Sequence, residues 1–429
     1  MEKCTPIGLH YRITATPQEQ AMIVRKQVVL LLSALVLSFW QAHSCGASIE
    51  FVDLFKGGLD AEDMGNLDDA LGRYSEALKL NPQSARTWAK RGEVYLRKGD
   101  PQSAIKDLAQ AVKLDLAYGA AFTRLGFAYN ALNEYDKAIG ALDLAVKLEP
   151  TSSEAFNTRG FAFNGKNDYD RAVKDFDKAI LLNSKDARYY NNRGFALNGK
   201  HEYPKAVEDF DRAIEMDPNN AMYHNNRGVA YLRQKNFDKA VEDFDKTLKI
   251  ESKFSSGYHN RGMAYSGKGR HDKAIEEFSK VIEMNPSSPV LYKDRGTAYR
   301  KLGEYELALK DFEKAIELDK KFAPGYAALG LLRVLAPEPP IHNPVQGLRL
   351  AEKAVTLTNG ASPDMLENLA EVQHALNHRD DALRTLQNAL AMDPSNKDYQ
   401  ELLKKWTGVD APPVPLTRPE KRYLFPNPW

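Results

Sequence analysis

A chain of 429 residues with 43% apolar content is long enough for two or three ordinary domains, and its two cysteines exclude a disulfide framework. It carries 59 Lys/Arg against 58 Asp/Glu, which argues against a nucleic-acid footprint or a membrane-surface patch, because both need a clear basic excess.

The first 47 residues differ from all that follows. Arg25-Lys26 precede an apolar run from Val28 to Trp40, and small residues follow it. The run is short for a bilayer span, and a basic flank, an apolar stretch and a small-residue site in that order describe a secretory signal. The first expectation is therefore export to the periplasm. The alternatives are an uncleaved membrane anchor, a lipoprotein attached through Cys45, and a cytosolic protein. Met22 offers a second start, which would leave residues 1–21 untranslated.

From Phe51 the chain repeats itself. Gly58, Gly92, Gly126, Gly160, Gly194, Gly228, Gly262 and Gly296 follow one another at 34-residue intervals through eight units, which span 51–322. Counting places within each unit, the fourth is mostly aromatic (Trp88, Phe122, Phe156, Tyr190), and so is the eleventh (Tyr95, Tyr129, Phe163, Tyr231). The twentieth is always alanine, from Ala70 to Ala308, and the twenty-fourth is bulky, with Phe176, Phe210, Phe244, Phe278 and Phe312 among its members. Proline closes four units, at Pro82, Pro150, Pro218 and Pro286.

This series resembles the tetratricopeptide repeat family, and the resemblance implies helix–turn–helix units stacked into an all-α, right-handed solenoid. The physical pattern agrees. Places 4, 8 and 11 share one arc of a first helix and places 20, 24 and 27 one arc of a second, while the small residues at 8 and 20 let the two backbones approach. Two divergent repeats follow over 323–395, bringing the count to about ten. The ninth is interrupted by Pro337, Pro339, Pro340 and Pro344, and five residues are inserted there. Residues 396–407 suit a capping helix, and 408–429 form a Pro-rich tail expected to be extended or disordered.

Place 7 faces the neighbouring helix, and a charge there needs a partner. Six units carry arginine at that place: Arg91, Arg159, Arg193, Arg227, Arg261 and Arg295. The same six are acidic at place 23: Asp107, Asp175, Asp209, Asp243, Glu277 and Asp311. Units without the arginine, such as those with Leu125 and Leu329, lack the acid too. The arginines are expected to tie the two helices of each unit as structural ion pairs. A row of arginines gripping an acidic ligand is the alternative, and it conflicts with guanidinium groups already engaged in fork-shaped pairs.

Catalytic and metal signals are thin. No phosphate loop, serine elbow, Cys–His pairing or zinc spacing is present, so a non-catalytic protein with no cofactor and no metal site is expected. His374 and His378 stand four apart without a carboxylate ligand nearby in sequence and read as solvated side chains. Within the family, the clamp for chaperone C-termini needs asparagine at place 9, and no unit has it.

The remaining face of the first helix carries the candidate partner-binding groove. Places 2, 5, 6, 9, 12 and 13 lie opposite the packed arc on a helical wheel. They hold Phe127, Phe161 and Phe195 at place 9, Asn130, Asn164 and Asn198 at place 12, and Asn157, Asn191, Asn192, Asn225, Asn226 and Asn260 at places 5 and 6. One reading is a wall that binds an extended peptide, with carboxamides matching the peptide unit and rings giving sequence-tolerant contact. The other is that these residues bridge adjacent repeats. The function expected is a protein–protein interaction adaptor that binds an extended segment of a protein partner. The alternative is a structural scaffold or oligomerisation module of an envelope assembly.

Overall fold

The computed structural model describes residues 49–408; the signal-like segment, Cys45 and the tail from 409 onward lie outside the described residues. Among the described residues every regular element is an α-helix, and none is long and apolar enough to cross a membrane. The chain divides into two compact units between Ser184 and Lys185.

The first unit holds four helical hairpins. They are α1 (49–63) with α2 (Leu67–Leu80), α3 (Ala85–Arg97) with α4 (Pro101–Leu114), α5 (Gly119–Ala131) with α6 (Tyr135–Leu148), and α7 (Ser153–Gly165) with α8 (Tyr169–Leu182). The second unit holds α9 (Ala187–Gly199) with α10 (Tyr203–Met216), α11 (Ala221–Arg233) with α12 (Phe237–Ile250), α13 (Ser255–Gly267) with α14 (His271–Met284), and α15 (Pro289–Leu302) with α16 (Tyr305–Leu318). It continues with α17 (Ala323–Leu335) and α18 (Pro344–Leu357), then α19 (Pro363–Ala375) and α20 (Arg379–Met392), and ends in α21 (Lys397–Thr407). In each unit successive hairpins pack one on the next, an all-α solenoid of helix–turn–helix repeats.

Local chemistry sets the helix ends. The residue before several second helices caps it: Asn66, Asp100, Asp168 and Asn236 each accept a hydrogen bond from the backbone N–H three residues on. The turn into the second helix uses place 15 in the left-handed region, at Gly65, Gly99, Asn133, Asn167, His201, Lys235, Gly269 and Gly303. Glycine and asparagine tolerate that conformation, whereas His201 and Lys235 hold it at a steric cost. In the ninth repeat the Pro-rich insertion occupies 336–343, and Pro344 opens α18 at a position where its missing N–H is harmless.

The core of each hairpin is a small residue facing a large one. Alanine at place 20 is fully buried from Ala70 to Ala308, as are Tyr74, Leu108, Phe176, Phe210, Phe244 and Phe312 at place 24. Burying one such phenylalanine contributes up to about 3 kcal/mol. Glycine at place 8 makes room for it: a Cβ on Gly194 would sit 2.8 Å from Phe210 Cε1. The last helix closes the second unit. Tyr399, Leu403 and Trp406 are buried, and Trp406 stacks on His374 with ring centroids 4.3 Å apart. His374 stays exposed on its other faces, as the sequence reading expects, and His378 lies beyond the end of α19, so the pair does not share a helix face.

Candidate functional site

The place 7 arginines join the two helices of their own repeat. Arg91 Nε and Nη2 donate to Asp107 Oδ2 and Oδ1 at 2.7 and 2.9 Å, and Arg159 makes the same fork to Asp175 at 2.8 and 2.7 Å. In the second unit Arg193 forks to Asp209, Arg227 to Asp243 and Arg295 to Asp311, all between 2.6 and 2.9 Å. Arg261 places both donors on one oxygen of Glu277, at 2.9 and 2.6 Å. The six acids are almost wholly withdrawn from solvent. The hydrogen bonds that Arg227 donates to Asp243 and Asp211 outweigh burial and push its guanidinium above its ordinary range.

The third donor does something the paired-place comparison did not reveal. Arg91 Nη1 reaches Ser75, Arg159 Nη1 reaches Asp143, Arg227 Nη1 reaches Asp211, Arg261 Nη1 reaches Asp245 and Arg295 Nη1 reaches Ser279, each on the second helix of the preceding repeat. All five acceptors stand at place 25. The repeat before Leu125 carries Ala109 there, a correlated change visible in the sequence.

On the remaining face the asparagines and phenylalanines part company. Phe127, Phe161 and Phe195 are exposed at 51%, 47% and 53%, while Asn130, Asn164, Asn191 and Asn225 are buried. Asn157, Asn192, Asn198, Asn226 and Asn260 are half-buried. The helical wheel therefore misplaces places 5 and 12. It treats one hairpin alone, whereas the neighbouring first helix covers those positions.

The buried carboxamides link repeats. In the first unit Asn130 Nδ2 donates to Thr158 O at 2.9 Å. In the second unit place 5 of one repeat meets place 6 of the next. Asn226 Nδ2 donates to Asn191 Oδ1 and Asn260 Nδ2 to Asn225 Oδ1, both at 2.9 Å. His259 Nε2 continues this ladder to Asp294 Oδ2 at 2.8 Å. The His259 and Lys293 contacts hold the Asp294 carboxyl below its usual range although burial opposes this. What reaches solvent is an apolar row: Phe127 and Phe161 in the first unit, and Phe195, Met222 and Met263 in the second.

At the C-terminal end of the second unit the same wall places converge on residues that sequence reasoning missed. Arg300 at place 12 of the eighth repeat lies with Glu367, Asn368 and Glu371 of α19 around a cavity of about 230 Å³. Burial, then the fields of Glu371, Asp364 and Asp398, pushes the Glu367 carboxyl up to about 7. Burial also pulls the Arg300 guanidinium down. Among the described residues no group of His, Cys, Asp and Glu is arranged to hold a metal ion.

Comparison with known proteins matches this architecture. Family models described as tetratricopeptide repeat match residues 55–115, 90–153, 153–186, 196–253, 255–288, 289–322 and 366–398. A tetratricopeptide repeat protein from Parabacteroides merdae is 20% identical, with 58% of this chain and 98% of that one covered and a TM-score of 0.48. The crystal structure of MamA is 30% identical over 38% of this chain and 94% of its own, with a TM-score of 0.35. A curated rice protein (Oryza sativa subsp. japonica), "TPR repeat-containing thioredoxin TDX", is 40% identical over 50 residues, which is 12% of this chain and 16% of that protein's length. With these models covering well over half of its length and the repeat geometry visible in each unit, the chain belongs to the tetratricopeptide repeat family.

Proposed function

We propose that the protein is a non-catalytic adaptor that binds an extended segment of a partner protein along the first-helix face of its repeats. Family membership supports an adaptor role in protein–protein interaction. The observation that carries the finer reading is the exposed aromatic row. Phe127 and Phe161 stand at the same place of successive repeats, half in solvent. Exposed apolar rows of this kind mark interaction surfaces, and aromatic side chains dominate binding hot spots. The ladder asparagines support the row by fixing the spacing of the first helices.

The test is capture of partners by the full chain and by the variants Phe127→Ala with Phe161→Ala, and Phe195→Ala. Each is expected to weaken capture by about 1 kcal/mol or more per ring while circular dichroism and melting stay unchanged. Undiminished capture would overturn the groove reading.

A second reading, a scaffold or oligomerisation module, is favoured by another patch. Leu144 and Leu148 on α6 and Leu181 on α8 are exposed on the second-helix side of the first unit. If Leu144→Ser and Leu181→Ser lower the assembly size in sedimentation while the phenylalanine variants leave it unchanged, the scaffold reading replaces the adaptor. We further propose export to the periplasm, on the strength of the basic, apolar and small-residue series at 25–47. Cell fractionation tests it, and a wholly cytosolic distribution would overturn it.

A further inference from the structure

The polar ladder of the second unit stops at the ninth repeat, and its interruption opens the cavity. Places 5 and 6 there are Ala327 and Ala328. Lys293, whose place-6 counterpart is Ala328, bonds instead to Asp294 on its own helix at 2.5 Å. Asn368, whose place-5 counterpart is Ala327, has an Oδ1 withdrawn from solvent that accepts no hydrogen bond. The space left by the two missing side chains lies between α15, α17 and α19, on the wall that carries Phe195 upstream.

Its charges do not balance. Lys293 is committed to Asp294, and Asp364 accepts the Tyr399 hydroxyl at 2.7 Å. Among the described residues no salt bridge ties Glu367, Glu371 or Arg300, so two carboxylates and the bare Asn368 oxygen face one guanidinium. Arg300 is opposed by Glu371, and Glu367 is left in a field of like charge from Glu371, Asp364 and Asp398. The cavity is smaller than the roughly 300–1,000 Å³ of ordinary small-molecule sites, and apolar side chains line part of it. That combination suits one long cationic side chain, whose methylene stem packs while its head is paired.

We propose that this cavity takes the cationic head of a lysine or arginine side chain on the partner segment, with Glu367 and Glu371 as counter-charges, Asn368 Oδ1 as hydrogen-bond acceptor, and Leu331 and Met365 against the stem. The proposal rests on the groove reading and adds a residue preference to it. The groups that govern its pH response are Lys293 and Arg300 from α15, Asp364, Glu367 and Glu371 from α19, and Asp398 and Tyr399 from α21; α17 contributes only apolar side chains.

The experiment measures binding of the full chain to the fluorescent capped peptide Gly-Leu-Lys-Leu-Gly and to its Gln and Glu counterparts, at pH 8.5 and pH 6. The Lys peptide is expected to bind at least tenfold tighter than the Gln peptide at pH 8.5. That preference should fall by up to about tenfold at pH 6, where Glu367 holds its proton. Glu367→Gln and Glu371→Gln should each reduce the preference at least fivefold at pH 8.5 with melting retained. Equal or undetectable binding of the Lys and Gln peptides, or tighter binding of the Glu peptide through Arg300, overturns the proposal. Partner capture by the same preparations separates the two readings. Capture that Phe195→Ala still weakens, without a lysine preference, removes the cavity proposal alone; capture indifferent to Phe195→Ala removes the groove as well.

Discussion

Arg193 on α9 and Asp209 on α10 hold each other through two parallel hydrogen bonds, at 2.8 and 2.6 Å, with the aspartate almost wholly buried between the helices. Removing one member strands the other charge. Asp209→Ala is expected to cost about 2–4 kcal/mol in urea unfolding, and Arg193→Leu combined with Asp209→Ala to recover much of it. Additive losses in that double-mutant cycle would show that the two residues do not act as a pair.

Two glycine substitutions of the same chemistry should have opposite signs. At Gly194 a methyl group would press on Phe210, so Gly194→Ala is expected to lower stability by about 1–3 kcal/mol despite the gain in helix propensity. Around Gly140, inside α6, nothing lies within 4 Å of the added Cβ, so Gly140→Ala is expected to raise stability by up to about 1 kcal/mol. Melting curves of the two variants, read side by side, check this.

The ladder makes a prediction that differs from the expectation of a peptide-binding asparagine. Asn225→Ala leaves the half-buried Asn260 amide without its acceptor and is expected to cost about 1 kcal/mol of stability. A groove residue that only contacts a partner would leave melting unchanged, so thermal unfolding of this single variant separates the two roles.

Glu367 gives a pH signature of defined sign. Its folded carboxyl titrates near 7 against 4.5 in the unfolded chain, so between those values the folded state binds the extra proton. Stability contributed at this position therefore falls as pH rises from about 4.5 to about 7 and is flat outside that window. The melting temperature of the parent protein should decline across the window relative to Glu367→Gln, which has no proton to lose. Parallel curves for the two would show that Glu367 titrates normally.

The family and the arginine pairs were legible in the sequence because eight copies of one unit serve as an internal comparison, in which Leu125 and Ala141 change together at the two places that Arg193 and Asp209 fill in their own repeat. The fate of the wall asparagines was not. A helical wheel describes one helix, and the burial of Asn191 and Asn225 is decided by the next repeat, 34 residues away. The cavity was further out of reach, because it depends on two alanines failing to fill a place that matters only once α19 is set beside α17. Its sequence trace is Ala327-Ala328 standing where the six preceding repeats carry polar pairs, followed by Asp364, Glu367 and Glu371 on α19.

The third repeat fastens itself differently from its neighbours. It lacks the buried place 7 arginine, and Arg124 one position earlier spans three repeats instead, reaching Glu93 at 3.4 Å and Glu154 at 2.5 Å. All three side chains are partly open to solvent, so mobile ions weaken this fastening far more than the buried forks on either side. In an array whose stability is the sum of repeat and nearest-neighbour terms, salt therefore loosens the third repeat's junctions with both of its neighbours. At 1 M NaCl, amide exchange in α5 should accelerate before that in α3 or α7, and the first unit would open from within rather than fray from an end.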